Sequence, residues 1–150
     1  MQPKNPLLQK CFNYLESLPH IEATLQGEPY FSSEVLADGK LIIKTSNKSA
    51  NYICEIKTGL TNDIIEQVIE YFSKLSKRLK HNERALLVTR SLSNLVVEQL
   101  LKNNIEFIDV DGNIYLNSPE IYVLVRNQVS KEGSSKSLEI TAAALQVIYA

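Results

Sequence analysis

The sequence is poor in cysteine, contains no tryptophan and has no long apolar run in its 150 residues. Its two cysteines, Cys11 and Cys54, lie among apolar residues without CxxC spacing, and no Cys/His cluster has the spacing of a zinc site. The longest apolar runs are about five residues, so no membrane-spanning segment is expected. The N-terminal residues also lack the apolar stretch of a signal peptide. We therefore expect a cytoplasmic protein whose two thiols are free and buried.

Several motifs of common enzymes are absent as well. The sequence contains neither a GxGxxG loop nor a P-loop. The two histidines, His20 and His81, have no serine or cysteine partner in a recognisable triad context. No helix-turn-helix is evident, so these residues are not expected to read a DNA sequence by themselves.

The composition is typical of one globular domain, with 44% hydrophobic and 22% charged residues. Apolar periodicity predicts alternating helices and strands. The predicted elements are a helix over residues 6–17, strands over 21–26, 35–36 and 41–44 around an Asp38-Gly39 turn, a strand over 51–57, a helix over 61–80 capped by Thr61 or Asn62, a strand over 85–89, a helix over 93–102 and strands over 105–108, 113–116 and 121–126. This order predicts the α/β class, with a central mixed β-sheet flanked by helices over residues 1–126.

The end of the chain is predicted differently. Residues 127–137 are polar and have the composition of a linker. Residues 138–150 are alanine-rich, favour a helix and contain no C-cap. We expect this helix to be the first element of a further domain.

Positive charge is concentrated in one segment although the net charge is only −1. Residues 74–90 contain one acid, Glu83, and six cations. The cations are Lys74, Lys77, Arg78, Lys80, Arg84 and Arg90. They are candidates for contact with nucleic-acid phosphates. The alternative is that they complement the dipole at the end of a long helix and keep its surface soluble.

The strand over residues 51–57 contains the strongest candidate for chemistry. Glu55 and Lys57 are two residues apart, so both side chains project from one face of the strand. A carboxylate that holds a divalent ion, beside a lysine that positions water and stabilises developing charge, suits phosphodiester hydrolysis. Mg²⁺ prefers several oxygen ligands, and Asp38 on or beside the preceding strand is the candidate for the second acid.

These residues, in this order of elements, resemble the PD-(D/E)xK nuclease-like core. Glu55-Ile56-Lys57 falls at the end of the third strand, where that family keeps its (D/E)xK motif. The next helix contains Gln67 and Tyr71, similar to the QxxxY motif of RecB-type members. The resemblance implies a restriction-endonuclease-like fold, with Asp38 and Glu55 as ligands of Mg²⁺, Lys57 as the catalytic lysine, and Gln67 and Tyr71 as substrate-side or supporting groups.

Alternatives stay open for each part of this motif. Glu55 and Lys57 also fit a simple ion pair on a half-exposed strand, and Gln67 and Tyr71 fit one face of an ordinary helix. Ala37 stands where the motif has proline, and Asp38-Gly39 is a strong hairpin-turn sequence. At a hairpin tip, Asp38 is unable to reach a metal beside Glu55. With an intact site, the two carboxylates are expected about 4–5 Å apart.

A second resemblance covers residues 35–150. Residues 105–116, Ile-Glu-Phe-Ile-Asp-Val-Asp-Gly-Asn-Ile-Tyr-Leu, are similar to a phrase in the N-terminal region of AbiEi-type proteins, which are regulators and antitoxins of type IV toxin–antitoxin systems. The resemblance implies DNA-linked transcriptional regulation, a winged-helix domain beginning at residues 138–150, a cognate toxin and a possible homodimer. The alternative for the phrase is a tight hairpin, because Asp-Gly and Asn are turn residues in any family.

The expectation from the sequence is therefore the nuclease-like domain of a bacterial AbiEi-type regulator that does not cut DNA. An active Mg²⁺-dependent deoxyribonuclease is the first alternative, and a protein-interaction module is the second. The position of Asp38 relative to Glu55 is expected to distinguish the enzyme from the regulator.

Overall fold

The computed structural model describes residues 2–32, 35–129 and 136–140, and it places side chains within residues 2–31 and 35–127. In this part of the chain, three helices and ten strands are formed. The helices are α1 (Pro6–Glu16), α2 (Ile65–Arg78) and α3 (Asn94–Lys102). The strands are β1 (Glu22–Gly27), β2 (Tyr30–Ser32), β3 (Val35–Ala37), β4 (Gly39–Lys44), β5 (Ser49–Ile56), β6 (Glu83–Thr89), β7 (Phe107–Asp109), β8 (Ile114–Asn117), β9 (Tyr122–Val129) and β10 (Lys136–Ile140).

Eight of the described strands form one mixed sheet in the order β1-β4-β5-β6-β7-β8-β9-β10. β1, β4 and β5 are antiparallel neighbours, whereas β5, β6 and β7 run parallel. Parallel neighbours require a crossover, and α2 and α3 supply the two crossovers on either side of β6. The remaining strands, β2 and β3, form a separate hairpin.

Helices cover both faces of the sheet. On one face α1 packs its buried residues Leu8, Phe12 and Leu15 into a core that includes alternate residues of the central strands. On the other face α2 and α3 enclose a second core, to which Phe72 and Leu100 belong. The predicted α/β class, with a mixed central sheet between layers of helices, is confirmed.

The order of elements is also the one expected of the nuclease-like core. A helix (α1), three antiparallel strands (β1, β4, β5), a helix (α2) and a strand (β6) follow one another along the chain. The β2–β3 hairpin is inserted between the first and second of those strands. β5 is an inner strand and α2 packs over the sheet, as the sequence predicted for the strand that carries Glu55.

The predicted start of the long helix was wrong. α2 begins at Ile65, and its N-cap residue, Ile64, has no side-chain capping bond. Thr61 instead accepts a backbone hydrogen bond from Ile64 in a preceding turn, at 3.2 Å. The polar residues that favour an N-cap are thus used in the turn that leads from β5 into the helix.

The prediction for the residues after 126 needs correction where the structure describes them. β9 continues to Val129, and β10 occupies residues that were predicted as the end of a linker and the start of a helix. β10 pairs antiparallel with β9, because an edge strand offers unpaired backbone groups to a segment that alternates in polarity. Residues 141–150 of the predicted helix lie outside the described residues, and the division into two domains stays a prediction.

Two further predictions concern simple features. Cys11 and Cys54 are free and buried, as expected, and burial raises the pKa of the Cys11 thiol to about 12. Among the described residues, no helix has the length and apolar character needed to cross a membrane.

Candidate functional site

Glu55 lies at the carboxyl end of β5 and faces the layer formed by α2. Its neighbour Cys54 belongs to the core under α1, so strand alternation directs Glu55 to the opposite face. Lys57 is the first residue after β5. Its backbone N–H donates to the Val88 carbonyl at 3.1 Å, which extends the pairing of β5 with β6. Glu55 is only 6% exposed, and Lys57 is half-buried.

Asp38 lies beside Glu55 and is not at the tip of a hairpin. Its backbone N–H donates to the Cys54 carbonyl at 3.0 Å, and its Oδ2 accepts a hydrogen bond from the Ile56 N–H at 2.7 Å. The chain does not turn back here, since β3 pairs with β2, and β4 pairs with β1 and β5. The Asp-Gly pair therefore links two sheets, which the local turn preference of these residues did not reveal.

Gly39 has a packing role at this link. A Cβ atom at this position would lie 3.2 Å from the Leu8 Cδ2 atom and 3.3 Å from the Gly27 carbonyl oxygen. Close approach of α1 and β1 thus favours glycine after Asp38, without any demand for a turn conformation.

Tyr71 of α2 connects the helix to both charged residues of β5. Its hydroxyl donates to Glu55 Oε2 at 3.3 Å, and the Lys57 Nζ atom lies 4.5 Å from the centre of its ring. Gln67, one turn earlier on α2, is exposed and lines a hollow of about 200 cubic ångströms together with Lys57 and Tyr71. The structure therefore brings the five predicted residues of the nuclease-like motif to one edge of the sheet.

The groups around Glu55 change the pKa of its carboxyl in opposite directions. Burial raises the pKa of the Glu55 carboxyl above its ordinary value, and the nearby Asp38 carboxylate raises it further. Lys57 and the Tyr71 hydroxyl act in the opposite direction, but the net change is upward. Burial also raises the pKa of Tyr71, with a smaller contribution from Glu55. A buried carboxylate with a raised pKa beside a second carboxylate forms an electrostatic environment that a bound cation would stabilise.

The predicted cations are distributed over several surfaces. Lys74 is paired with Glu70 at 3.1 Å on the exposed face of α2, and with Arg78 it lines a groove beside β3. Lys77, Lys80 and Arg84 line a hollow between the ends of α2 and α3. Arg90 is exposed and follows the carboxyl end of β6, at the same edge of the sheet as Lys57. Contact of these cations with nucleic acid stays a prediction.

Arg84 is tied to a buried network that the sequence did not predict. Its Nε donates to Glu106 Oε2 at 2.7 Å, and the same carboxylate accepts from the Tyr52 hydroxyl at 2.5 Å and the Asn117 N–H at 2.8 Å. The sign of this network in the sequence was one acid, Glu106, within the apolar run that leads into β7. Its partners are far away along the chain, so spacing did not reveal them.

The phrase at residues 105–116 folds as a tight hairpin. The buried Asp109 carboxylate accepts hydrogen bonds from the Asp111 and Asn113 N–H groups at 2.9 and 3.0 Å, and from the Asn113 side-chain amide at 2.8 Å. Gly112 adopts a positive φ of 88°, which glycine tolerates best. The hairpin turn predicted at Asp111-Gly112 is confirmed. These residues therefore have a local structural role independent of any family.

Comparison with known proteins gives little further information. No family model matches the sequence, and no curated protein matches it. The chain is similar to the solved structure of an XisH family protein from Nostoc punctiforme PCC 73102, with 11% sequence identity and a TM-score of 0.38 over 69% of this chain and 86% of that chain. A likeness this distant bears on neither activity nor partners.

Proposed function

We propose that this domain hydrolyses phosphodiester bonds of nucleic acid in a metal-dependent reaction at Asp38, Glu55 and Lys57. One observation supports the proposal above all. The Asp38 carboxylate accepts a hydrogen bond from the Ile56 N–H at 2.7 Å, which puts it beside Glu55 and not at a hairpin tip. The sequence had left these two positions of Asp38 open, and only the first is compatible with a shared metal ion.

The donor set fits a hard divalent cation such as Mg²⁺. Asp38 and Glu55 supply carboxylate oxygens, the ligand type that Mg²⁺ prefers. The pKa of Glu55 is raised first by burial and then by the nearby Asp38 carboxylate. A Mg²⁺ ion held by these two residues would polarise the phosphoryl oxygens and lower the pKa of a bound water. Within the described residues, no group of three or more His, Cys, Asp or Glu side chains is arranged to hold a metal.

The remaining residues have roles that follow from their contacts. In the reaction, a water oxygen forms a bond to phosphorus while the bond from phosphorus to the leaving sugar oxygen breaks, and the proton lost by the water finally resides on that sugar oxygen. The Lys57 ammonium lies next to the site and stabilises the negative charge that develops on the phosphoryl oxygens. Tyr71 keeps Glu55 and Lys57 in place through its hydroxyl and its ring.

A cleavage assay tests the proposal. The wild-type chain should cut labelled single- and double-stranded DNA in Mg²⁺ and not in EDTA. Glu55→Gln and Lys57→Met should each reduce the rate about 100-fold or more. Glu98→Gln, which changes an exposed acid of α3, is the matched control and should cut like the wild type. Equal rates in all four proteins, or no Mg²⁺-dependent cleavage by the wild type, would contradict the proposal.

A second candidate is the AbiEi-type regulator, in which the same fold does not cut DNA. This function is the one implied by the resemblance of residues 105–116 to the family phrase. In that case the chain should bind duplex DNA weakly through phosphates. With at most six cations in residues 74–90, log affinity should fall against log salt with a slope no steeper than about −5. A salt titration on promoter and scrambled DNA measures this slope, and a cognate toxin would be sought by copurification.

A further inference from the structure

The β2–β3 hairpin displays two large apolar side chains next to the candidate site. Phe31 is 68% exposed and Leu36 is 66% exposed. The two residues are direct partners in the antiparallel pairing of the hairpin, so their side chains lie together on one face. Two adjacent apolar side chains with this exposure form a hydrophobic patch whose contact with water is unfavourable, so the patch favours binding of another molecule.

The opposite face of the hairpin is firmly packed. Val35 is 6% exposed and belongs to the core that Phe72 and Leu75 of α2 help to form. Ala37, two residues later on the same face, is 2% exposed. Strand alternation therefore fixes Leu36 and its partner Phe31 outward, because the inward positions are already filled.

The surface continues from the hairpin onto α2. Leu36 and Tyr71 line a groove of about 310 cubic ångströms, and the cations Lys74 and Arg78 line it too. Tyr71 is 40% exposed, and its hydroxyl reaches Glu55. The groove thus extends from Leu36, the strand partner of Phe31, to Tyr71, whose hydroxyl contacts the Glu55 carboxylate.

We infer that this surface binds single-stranded nucleic acid and guides it to Glu55. Exposed rings and apolar side chains offer stacking platforms for bases, while neighbouring cations attract the phosphates between those bases. A duplex hides the faces of its bases in the helical stack, so it lacks the groups that Phe31 and Leu36 would contact. The inference rests on the proposed function in that it names the substrate class of the same site.

Binding in EDTA tests the inference without any cleavage. Fluorescence anisotropy with a labelled oligothymidine of about twelve nucleotides and a labelled blunt-ended duplex gives the affinities for single-stranded and double-stranded DNA at one salt concentration. Phe31→Ala should weaken binding of the single strand about tenfold and leave duplex binding unchanged. Phe31→Tyr should restore most of the affinity because it retains a ring. Leu95→Ala is the matched control, since Leu95 is also an exposed apolar residue, at 57%, and lies on α3.

Each other outcome has a distinct meaning. Unchanged affinity in Phe31→Ala, equal losses for single strand and duplex, or an equal loss in Leu95→Ala would overturn the inference. A monomer–dimer equilibrium that Phe31→Ala abolishes, with no change in DNA binding, would overturn it in favour of a second copy of this chain. Phe31-dependent binding of single strands without Mg²⁺-dependent cleavage would contradict the proposed reaction alone. Cleavage at equal rates on single strands and duplexes, with Phe31→Ala unchanged, would contradict this inference alone.

Discussion

Two buried glutamates at opposite ends of the sheet have very different surroundings. Glu106 is 4% exposed and accepts hydrogen bonds from Tyr52, Arg84 and Asn117 at 2.5–2.8 Å. Glu55 is 6% exposed, and among the described residues its carboxylate accepts one hydrogen bond, from Tyr71 at 3.3 Å. Residue type and burial are the same, so the difference lies in the partners.

This difference is the reason we assign a structural role to Glu106 and propose a functional one for Glu55. A buried charge is stable when a cation and several donors surround it, as they do around Glu106. Burial, and then the nearby Asp38 carboxylate, raise the pKa of Glu55 and make its ionised form costly. Such a residue lowers local stability, and carboxylates of this kind are often found at functional sites.

The largest effect on stability is expected at the Glu106 end. Glu106→Gln removes the charge that pairs with Arg84 and should lower the free energy of unfolding by about 2 to 3 kcal/mol. Urea denaturation followed by circular dichroism measures this loss. Glu98→Gln on the surface of α3 should change the free energy by less than about 0.5 kcal/mol. A neutral Glu106→Gln variant would remove the contrast on which the comparison depends.

A smaller effect of opposite sign is expected at the other end. Glu55→Gln removes a destabilised charge, while its amide oxygen is still able to accept the hydrogen bond from Tyr71. In EDTA at pH 7 the variant should be more stable than the wild type by about 0.5 to 1 kcal/mol. The same urea titration gives the value, and a loss of more than 1 kcal/mol would show that Glu55 is structural.

The pH dependence gives the finest comparison. The pKa of Glu55 is higher in the folded chain than its ordinary value of 4.5, so the folded state binds more protons as the pH passes from that value to the folded pKa. The free energy of unfolding should therefore fall as pH rises through this interval. Burial raises the pKa of Asp109 in the same direction, so the informative quantity is the wild-type curve minus the Glu55→Gln curve. A flat difference curve would mean that the folded environment leaves Glu55 unperturbed.

The sequence was sufficient to predict the part of the site that β5 and α2 form. Alternation in β5 predicted that Glu55 and Lys57 share a face, and the apolar stripe of α2 predicted the helix that brings Gln67 and Tyr71 over them. Both patterns are set by residues close together in the chain, where periodicity of 2 or 3.6 residues determines which side chains point to the core.

The sequence was insufficient where distant segments compete with local preference. Asp38-Gly39 is a good turn sequence, but pairing with β5 holds Asp38 in a link between two sheets. The Glu106 network includes a hydrogen bond between residues 54 positions apart. Phe31 is exposed because the other face of its hairpin packs on α2. Long-range pairing of this kind leaves no fixed spacing for a sequence pattern to detect.

The most direct test of a functional Glu55 is the effect of Mg²⁺ on stability. A ligand that binds only the folded state stabilises it by mass action, by about 1.4 kcal/mol at ten times its Kd. Urea titrations in MgCl₂ and in KCl of equal ionic strength should show this gain for the wild type and for Glu106→Gln, and none for Asp38→Asn or Glu55→Gln. An equal response to Mg²⁺ in the wild type and Glu55→Gln, or no response in the wild type, would contradict a metal site at this end of the sheet.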